Sequence, residues 1–353
     1  MKKKKNHLTA CLALGAIALC TSPILAQQAE GGTAGDAYPN MPAIAPIGVR
    51  IGKHLDVNES AKGPAIDPAK GYRLEEMGKD FYMITDNAIQ SAFLVYENGV
   101  VVIDAPEELV PFIPKGIAEV TDKPITHFIY THHHADHVGG AGAILKGKQV
   151  VIIGHEETKR LLTRAADPAR PVPTVTFQDK YILKVGSQTL ELTYHGNGHE
   201  PGNTFIYAPK QRTLMVIDVI FPGWMPWRRF ALAQDIPGYF RQVEEINKLD
   251  WDKLISGHVE RSGTHADVAL QLEFITELRN TARKALKSTQ YLDGINPADK
   301  ENPWAVFDDY IDRVVIQTIN ELTPKWSSKL AGYDVFIWDQ CLSMEQSIRL
   351  DEH

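Results

Sequence analysis

Between Asp80 and Asp104 the chain alternates short β-rich runs with turn signals. Asp80-Phe-Tyr-Met-Ile-Thr85, Ser91-Ala-Phe-Leu-Val-Tyr96 and Val100-Val-Val-Ile-Asp104 read as strands, and Glu97-Asn-Gly99 supplies the turn between the last two. Pro106 to Val120 fits a helix, Ile125 to Tyr130 a buried strand, and Val138 to Leu145 the start of another helix. The same grammar then repeats. Gln149 to Ile153 is a strand, His155 to Ala166 a helix, and residues 188–193, 203–207 and 213–217 are further strands. Gly238 to Leu249 carries Tyr239, Phe240, Val243, Ile246 and Leu249 at helical spacing. Two β-heavy halves with alternating helices imply two packed sheets with helices outside.

After His258 the pattern becomes helical. Ala266 to Ser288 is one long helix, and Trp304 to Leu322 a second, with Phe307, Ile311, Val314, Val315, Ile319 and Leu322 at three- and four-residue steps. Such helices cover a core, form a lid or pair two copies as a homodimer; the pattern leaves all three open.

The N-terminus follows another logic. Lys2 to Lys5 precede an apolar stretch from Leu8 to Cys20, and Ser22-Pro-Ile-Leu-Ala26 ends in a small residue, the order of a secretory signal peptide. The apolar run is too short for a permanent span, and Leu19 is large for a lipidation site at Cys20. Cleavage is expected after Ala26, giving a periplasmic or secreted protein with no membrane attachment. From Gln27 to Gly71 the chain is rich in Gly, Ala, Pro and Asn and reads as a flexible leader that packs in part on the body. The division is thus 1–26 signal, 27–71 leader, 72–262 catalytic body and 263–353 helical extension.

Loss of Lys2 to Lys5 with the signal takes the formal charge from -7 to -11. An acidic surface argues against a nucleic-acid partner and leaves a small-molecule substrate as the expectation. Cys341 is the one cysteine left after cleavage, so no internal disulfide forms and a buried core must supply the stability. Cys341 itself reads as a small buried hydrophobe.

The chemistry is concentrated in Thr131-His-His-His-Ala-Asp-His137. At a strand end, extended backbone points His132 and His134 one way and His133 the other. The following turn can bring Asp136 and His137 to a second metal. Zinc needs such a convergence of imidazoles and carboxylates. His195 reads as an ordinary loop residue.

This cluster resembles the signature of the metallo-β-lactamase superfamily, and the resemblance extends over about residues 72–262. Gly198-His-Glu-Pro-Gly-Asn203, Ile217-Asp218 and Ile255-Ser-Gly-His258 follow in the family's order. It implies an α/β fold, an αββα sandwich of two mixed sheets. It implies one zinc on His132, His134 and His199, a second on Asp136, His137 and His258, and Asp218 between them or on the second metal. Two Zn²⁺ are expected, with Fe or Mn as alternatives. Asp136 would orient the attacking hydroxide and handle the leaving-group proton. Asp104 closes an apolar run where a buried carboxylate needs a partner: either a strand-end turn residue or, by the resemblance, an acid behind the metal loop.

Just after Asp218, Phe221 to Phe230 holds two Trp, two Phe and two Arg. Trp224 and Trp227 would form an apolar wall and Arg228 or Arg229 grip a substrate carboxylate; otherwise the aromatics are core and the arginines solvated. Asp218 stands where some β-lactamases have a cysteine ligand. Phe221 stands where those enzymes carry Lys and the lactonases Tyr. The resulting expectation is an exported dinuclear zinc hydrolase that opens a small cyclic amide or ester, a β-lactam or lactone, by attack of a metal-bound hydroxide. The alternatives are an iron-dependent, sulfur dioxygenase-like oxidoreductase and a thioester hydrolase of glyoxalase II type.

Overall fold

The computed structural model describes residues 53–295 and 297–352. The signal segment and leader residues 27–52 lie outside them.

Seven strands form the first sheet, in the order β1 (Arg73–Gly78), β2 (Phe81–Thr85), β3 (Gln90–Tyr96), β4 (Gly99–Ile103), β5 (Ile125–Ile129), β6 (Val151–His155) and β7 (Val175–Phe177). The pairs from β1 to β4 are antiparallel and those from β4 to β7 parallel. The second sheet orders five strands as β12 (Lys253–Ile255), β11 (Thr213–Met215), β10 (Thr204–Ala208), β9 (Gln188–Tyr194) and β8 (Lys180–Val185). Its β11–β12 pair alone is parallel. Both sheets are therefore mixed.

Side-chain alternation sorts the apolar residues into three layers. Ala92, Leu94, Val101 and Ile103 point from β3 and β4 into the space between the sheets, meeting Leu190, Leu192, Ile206 and Met215. Phe93, Val95, Val100 and Val102, on the opposite face of the same strands, pack under helices α1 (Ile113–Val120), α3 (Ala141–Leu145) and α4 (Glu156–Ala165). Strands covered on both faces need apolar residues throughout, which is why β3 and β4 read as continuous hydrophobic runs. Between β5 and α3 lies a single turn of helix, α2 (Ala135–Val138).

The outer face of the second sheet carries a larger layer. Phe205 and Leu214 pack there with α5 (Ile236–Lys248), α6 (His265–Ser288), α7 (Pro303–Trp326) and α8 (Tyr333–Asp351), around fully buried Trp251, Phe274 and Trp326. The C-terminal helices thus complete the αββα sandwich on this side. Helix α8 and strands β1, β7, β8 and β12 are elements that the hydrophobic pattern did not reveal. In α8 the buried positions include Gln340, Ser343, Glu345 and Ser347, which dilute the apolar stripe.

Residues 53–71, the described part of the leader, pack on the body at several points. Ala61 is buried, its carbonyl accepts from Trp224 Nε1 at 3.3 Å, Asn58 Nδ2 donates to Ser328 O, and Arg261 Nε donates to Ser60 O.

Between β11 and α5 the chain makes a left-handed turn. Arg229, Phe230 and Ala231 have φ/ψ of 54/44, 55/51 and 57/43 degrees, and Leu232 has φ 56°. Each L-residue in that region costs about 1–2 kcal/mol. Burial of Phe230 against Tyr239 and Phe240 offsets the cost. The amide of buried Gln340 on α8 adds to this: its Oε1 accepts from Phe230 N at 2.9 Å, and its Nε2 donates to Pro226 O at 2.6 Å.

Candidate metal centre

The cluster is drawn from strand ends and the segments that follow them. His132 follows β5, His134 caps α2, and Asp136 and His137 lie within that helix. His199 sits between β9 and β10, Asp218 follows β11, and His258 follows β12. Asp104, Asp218 and Val259 all have positive φ, at 59°, 63° and 66°. Left-handed backbone is tolerable for Asp but unusual for a β-branched Val, and such strain gathers at functional sites.

The structure brings all seven sequence-derived ligands together. His134 Nδ1 lies 3.1 Å from His199 Nε2, and Asp218 Oδ2 lies 3.2 Å from His199 Nε2 and 3.5 Å from His132 Nε2. On the other side His137 Nε2 is 3.0 Å from His258 Nε2, and Asp136 Oδ2 is 3.6 Å from both. Asp218 reaches this side too, with Oδ2 3.2 Å from His137 Nε2 and Oδ1 3.1 Å from His258 Nε2. Ligands about 2.05 Å from a tetrahedral zinc are about 3.3 Å from one another. Spacings of 3.0 to 3.6 Å match that value on both sides. Buried His132 Nε2 also lacks any hydrogen-bond partner, a lone pair aimed into the cluster. The donor set therefore suits metal binding, in two adjoining groups with Asp218 within reach of both.

Electrostatics agree. Burial opposes ionisation of Asp218, but His137, His199 and His258 outweigh it and hold the carboxyl well below its usual range. Burial pushes the His258 imidazole down, yet Asp218 and Asp136 outweigh it and raise it to about 10. The potential that holds a proton there equally favours a metal cation. Burial drives His132 far down, so it stays a neutral donor.

Three supporting residues orient the ligands. Glu200, fully buried, places Oε2 3.1 Å from His134 Nε2 and also meets His133 Nδ1. A proton on His134 Nε2 would face this carboxylate and leave Nδ1 toward His199, the carboxylate–histidine arrangement common behind metals. Asp104 accepts from Thr131 N at 2.9 Å and Thr131 Oγ1 at 2.5 Å, and Thr131 Oγ1 lies 3.1 Å from His132 Nδ1. Asp104 is thus behind the metal loop rather than at an open turn, and burial pushes its carboxyl up to about 7. Gln90, fully buried on β3, donates to the carbonyls of His258, Val259 and Arg261 and accepts from Ser256 N and Gly257 N. It staples the strained His258 loop. Glu200 sits inside the motif that supplied His199, so its place beside a ligand was a usable signal. Gln90 had none beyond being a polar residue in an apolar strand.

The aromatic and cationic segment is placed differently from the expectation of a substrate wall. Trp224 is tied to Ala61, Arg228 pairs with Asp339 of α8 at 2.7 Å, and Arg229 lines a groove with Leu232, Gln346 and Leu350. Trp227 is 46% exposed. No hydrogen bond, ion pair or ring contact among the described residues joins these four to the metal ligands. Phe221 is the aromatic that does approach, buried and stacked on His258 with centroids 6.3 Å apart at 10°. His195 pairs with Glu245 and packs on Phe205, a structural role.

A model of the metallo-beta-lactamase superfamily matches residues 85–279, more than half the chain. The chain belongs to this superfamily. That places it among metal-dependent enzymes of hydrolase and oxygenase type. A 2,4-dinitroanisole O-demethylase subunit alpha from Nocardioides sp. (strain JS1661) is 27% identical over 51% of this chain and 55% of its own length. A metallo-beta-lactamase type 2 from Elizabethkingia meningoseptica is 29% identical over 37% of this chain and 52% of its own. The chain spans about half the length of these curated relatives. A metallo-beta-lactamase from Pontibacter korlensis shares the fold, with TM-score 0.50 and 19% identity over 57% of this chain and 97% of its own. Helices α7 and α8 lie beyond the residues the superfamily model matches.

Proposed function

We propose that the chain is an exported dinuclear zinc hydrolase that opens a small cyclic amide or ester. The observation that carries this is Asp218, one buried carboxylate within 3.1 to 3.5 Å of imidazoles from both ligand groups. His132, His134 and His199 would hold one ion and Asp136, His137 and His258 the other. Two divalent cations held there would supply Lewis acidity and would bring the deprotonation of water into the neutral range.

The chain's own residues do the rest. Among the described ligands the side chains of Asp136, His134 and His258 are the more exposed, at 55%, 30% and 29%, and substrate would approach past them. Burial works against ionisation of Asp136, but His258 and His137 outweigh it and keep the carboxyl anionic. Its oxygen not turned to a metal would orient the attacking water, take its proton and return it to the leaving nitrogen or oxygen. Glu200 and Asp104 hold the His134 and His132 rings in register, so that little reorganisation accompanies the reaction.

A second substrate class has its own support: the relative named for O-demethylation of 2,4-dinitroanisole makes an activated aryl ether a candidate. The experiment is a turnover screen of β-lactams, lactones, thioesters and 2,4-dinitroanisole, with metal analysis of protein from its native host. Ring opening with about two zinc per chain is the expected result. Iron content with no hydrolysis, or turnover of the ether alone, would replace the proposal.

A further inference from the structure

A side chain of the C-terminal helices, Gln271, hydrogen-bonds the backbone next to Asp218. We propose that Gln271, on α6, is a positioning residue for Asp218, setting the backbone that carries this carboxylate and the Phe221 ring. The proposal rests on the reading of Asp218 as a metal ligand.

Gln271 is 2% exposed and its carboxamide is fully engaged. Oε1 accepts from Phe221 N at 2.9 Å. Nε2 donates to Val219 O at 2.5 Å and to Tyr239 Oη at 3.0 Å, and the Tyr239 hydroxyl donates to the same Val219 carbonyl at 2.6 Å. Both lone pairs of the Val219 carbonyl, one residue past Asp218, are thereby occupied. On the other side Asn203 Nδ2 donates to Ile217 O at 2.9 Å and Asp218 N donates to Ser256 O at 3.2 Å. The left-handed Asp218 is thus clamped from before by the second sheet and from behind by α6. A ligand within 3.1 to 3.5 Å of four imidazoles tolerates little displacement. The same amide fixes Phe221, the aromatic that lies against His258.

The molecule contains its own control. Gln340 on α8 is equally buried and also binds loop backbone in both senses, but at Pro226, Trp227 and Phe230, away from any ligand. A merely structural buried glutamine and a positioning one should therefore separate.

The full chain is purified as wild type, Gln271→Met, Tyr239→Phe, Gln340→Met and Asp218→Asn. Zn²⁺ affinity is measured by competition with a chelating dye, and Tm on the metal-free protein. Gln271→Met should weaken the Asp218-dependent zinc by about 10–100-fold, the range for groups that orient ligands. Tyr239→Phe, which removes one donor to Val219 O with little change of volume, should weaken it less and in the same direction. Gln340→Met should lower metal-free Tm and leave zinc affinity unchanged. If Gln271→Met does not fold, Tyr239→Phe carries the test. Unchanged zinc affinity in the Gln271 and Tyr239 variants while Asp218→Asn loses a zinc overturns the positioning role alone. Equal weakening by the two glutamine variants overturns it as well. Retention of both zinc ions by Asp218→Asn overturns the metal reading, and the positioning role with it.

Discussion

His132, His134, Asp136 and His137 lie within one strand end and one helical turn, whereas His199, Asp218 and His258 stand at the ends of three separate stretches of the second sheet. The first group is held mainly by its own backbone, with Asp104 and Glu200 behind it. The second depends on residues remote in sequence: Gln90 for His258, and Asn203, Tyr239 and Gln271 for the stretch around Asp218. Local geometry makes the first half stiff. The second half is only as firm as the packing between sheet and helices. Damage to the fold should therefore be felt first at Asp218 and His258.

The hardest test of the contrast is removal of the shared carboxylate. Asp218→Ala should lower kcat/KM on the order of 10³-fold, since metal stabilisation is worth several kcal/mol and each tenfold about 1.4 kcal/mol. Equilibrium dialysis should find one zinc lost while the His132, His134 and His199 group keeps the other; retention of full activity would sink the two-metal proposal. Next comes Trp326→Ala in the helical layer, expected to destabilise by about 3–5 kcal/mol. Hydrogen exchange should then quicken at residues 218–221 before residues 132–137, and simultaneous loosening would erase the distinction.

Smaller effects sharpen it. Gln90→Leu should weaken one zinc by about 10–100-fold, and Glu200→Gln should fall at the lower end of that range because α2 also fixes His134. The reverse order, read by chelator competition, would make the first half the softer one. The least effect belongs to the helical layer alone. Asp312 on α7 is half-buried, and burial with Asp308 and Asp309 raises its carboxyl to about 6 from 3.8. The fold prefers the protonated form, so its stabilising contribution is complete below pH 3.8 and is lost as pH rises through 6. Asp312→Asn should therefore raise Tm at pH 7.5 and leave it unchanged near pH 3.8; a gain at both pH values would exclude charge as the cause.

Legibility in the sequence followed the same divide. The first group is contiguous, so its spacing displayed both the strand end and the chemistry. His199, Asp218 and His258 needed the family resemblance, because each is an ordinary loop residue by itself. Gln271 and Gln340 were missed although a signal existed. Val268, Gln271, Ile275 and Leu278 share one face of α6, as Ile337, Gln340, Cys341 and Met344 do on α8. A polar residue on an apolar stripe must find a buried partner. What sequence could not supply was the partner's identity, since loop backbone offers no distinguishing residue type. Arg228 shows the same limit: composition left a ligand grip and a solvated arginine both open, and Asp339, more than a hundred residues later, is the partner it meets in the fold.

The reach of Gln271 and Gln340 also orders events during synthesis. A ribosome delivers β11 and Asp218 well before either glutamine, and Trp326, around which their helices pack, later than Gln271. Until Gln271 emerges, the nascent chain holds the first histidine group beside an aspartate without its support from α6. On the two-metal proposal, firm binding of the second ion would follow the docking of α6. A stalled chain ending near residue 262 should bind zinc at one position, and release of the full chain should add the second.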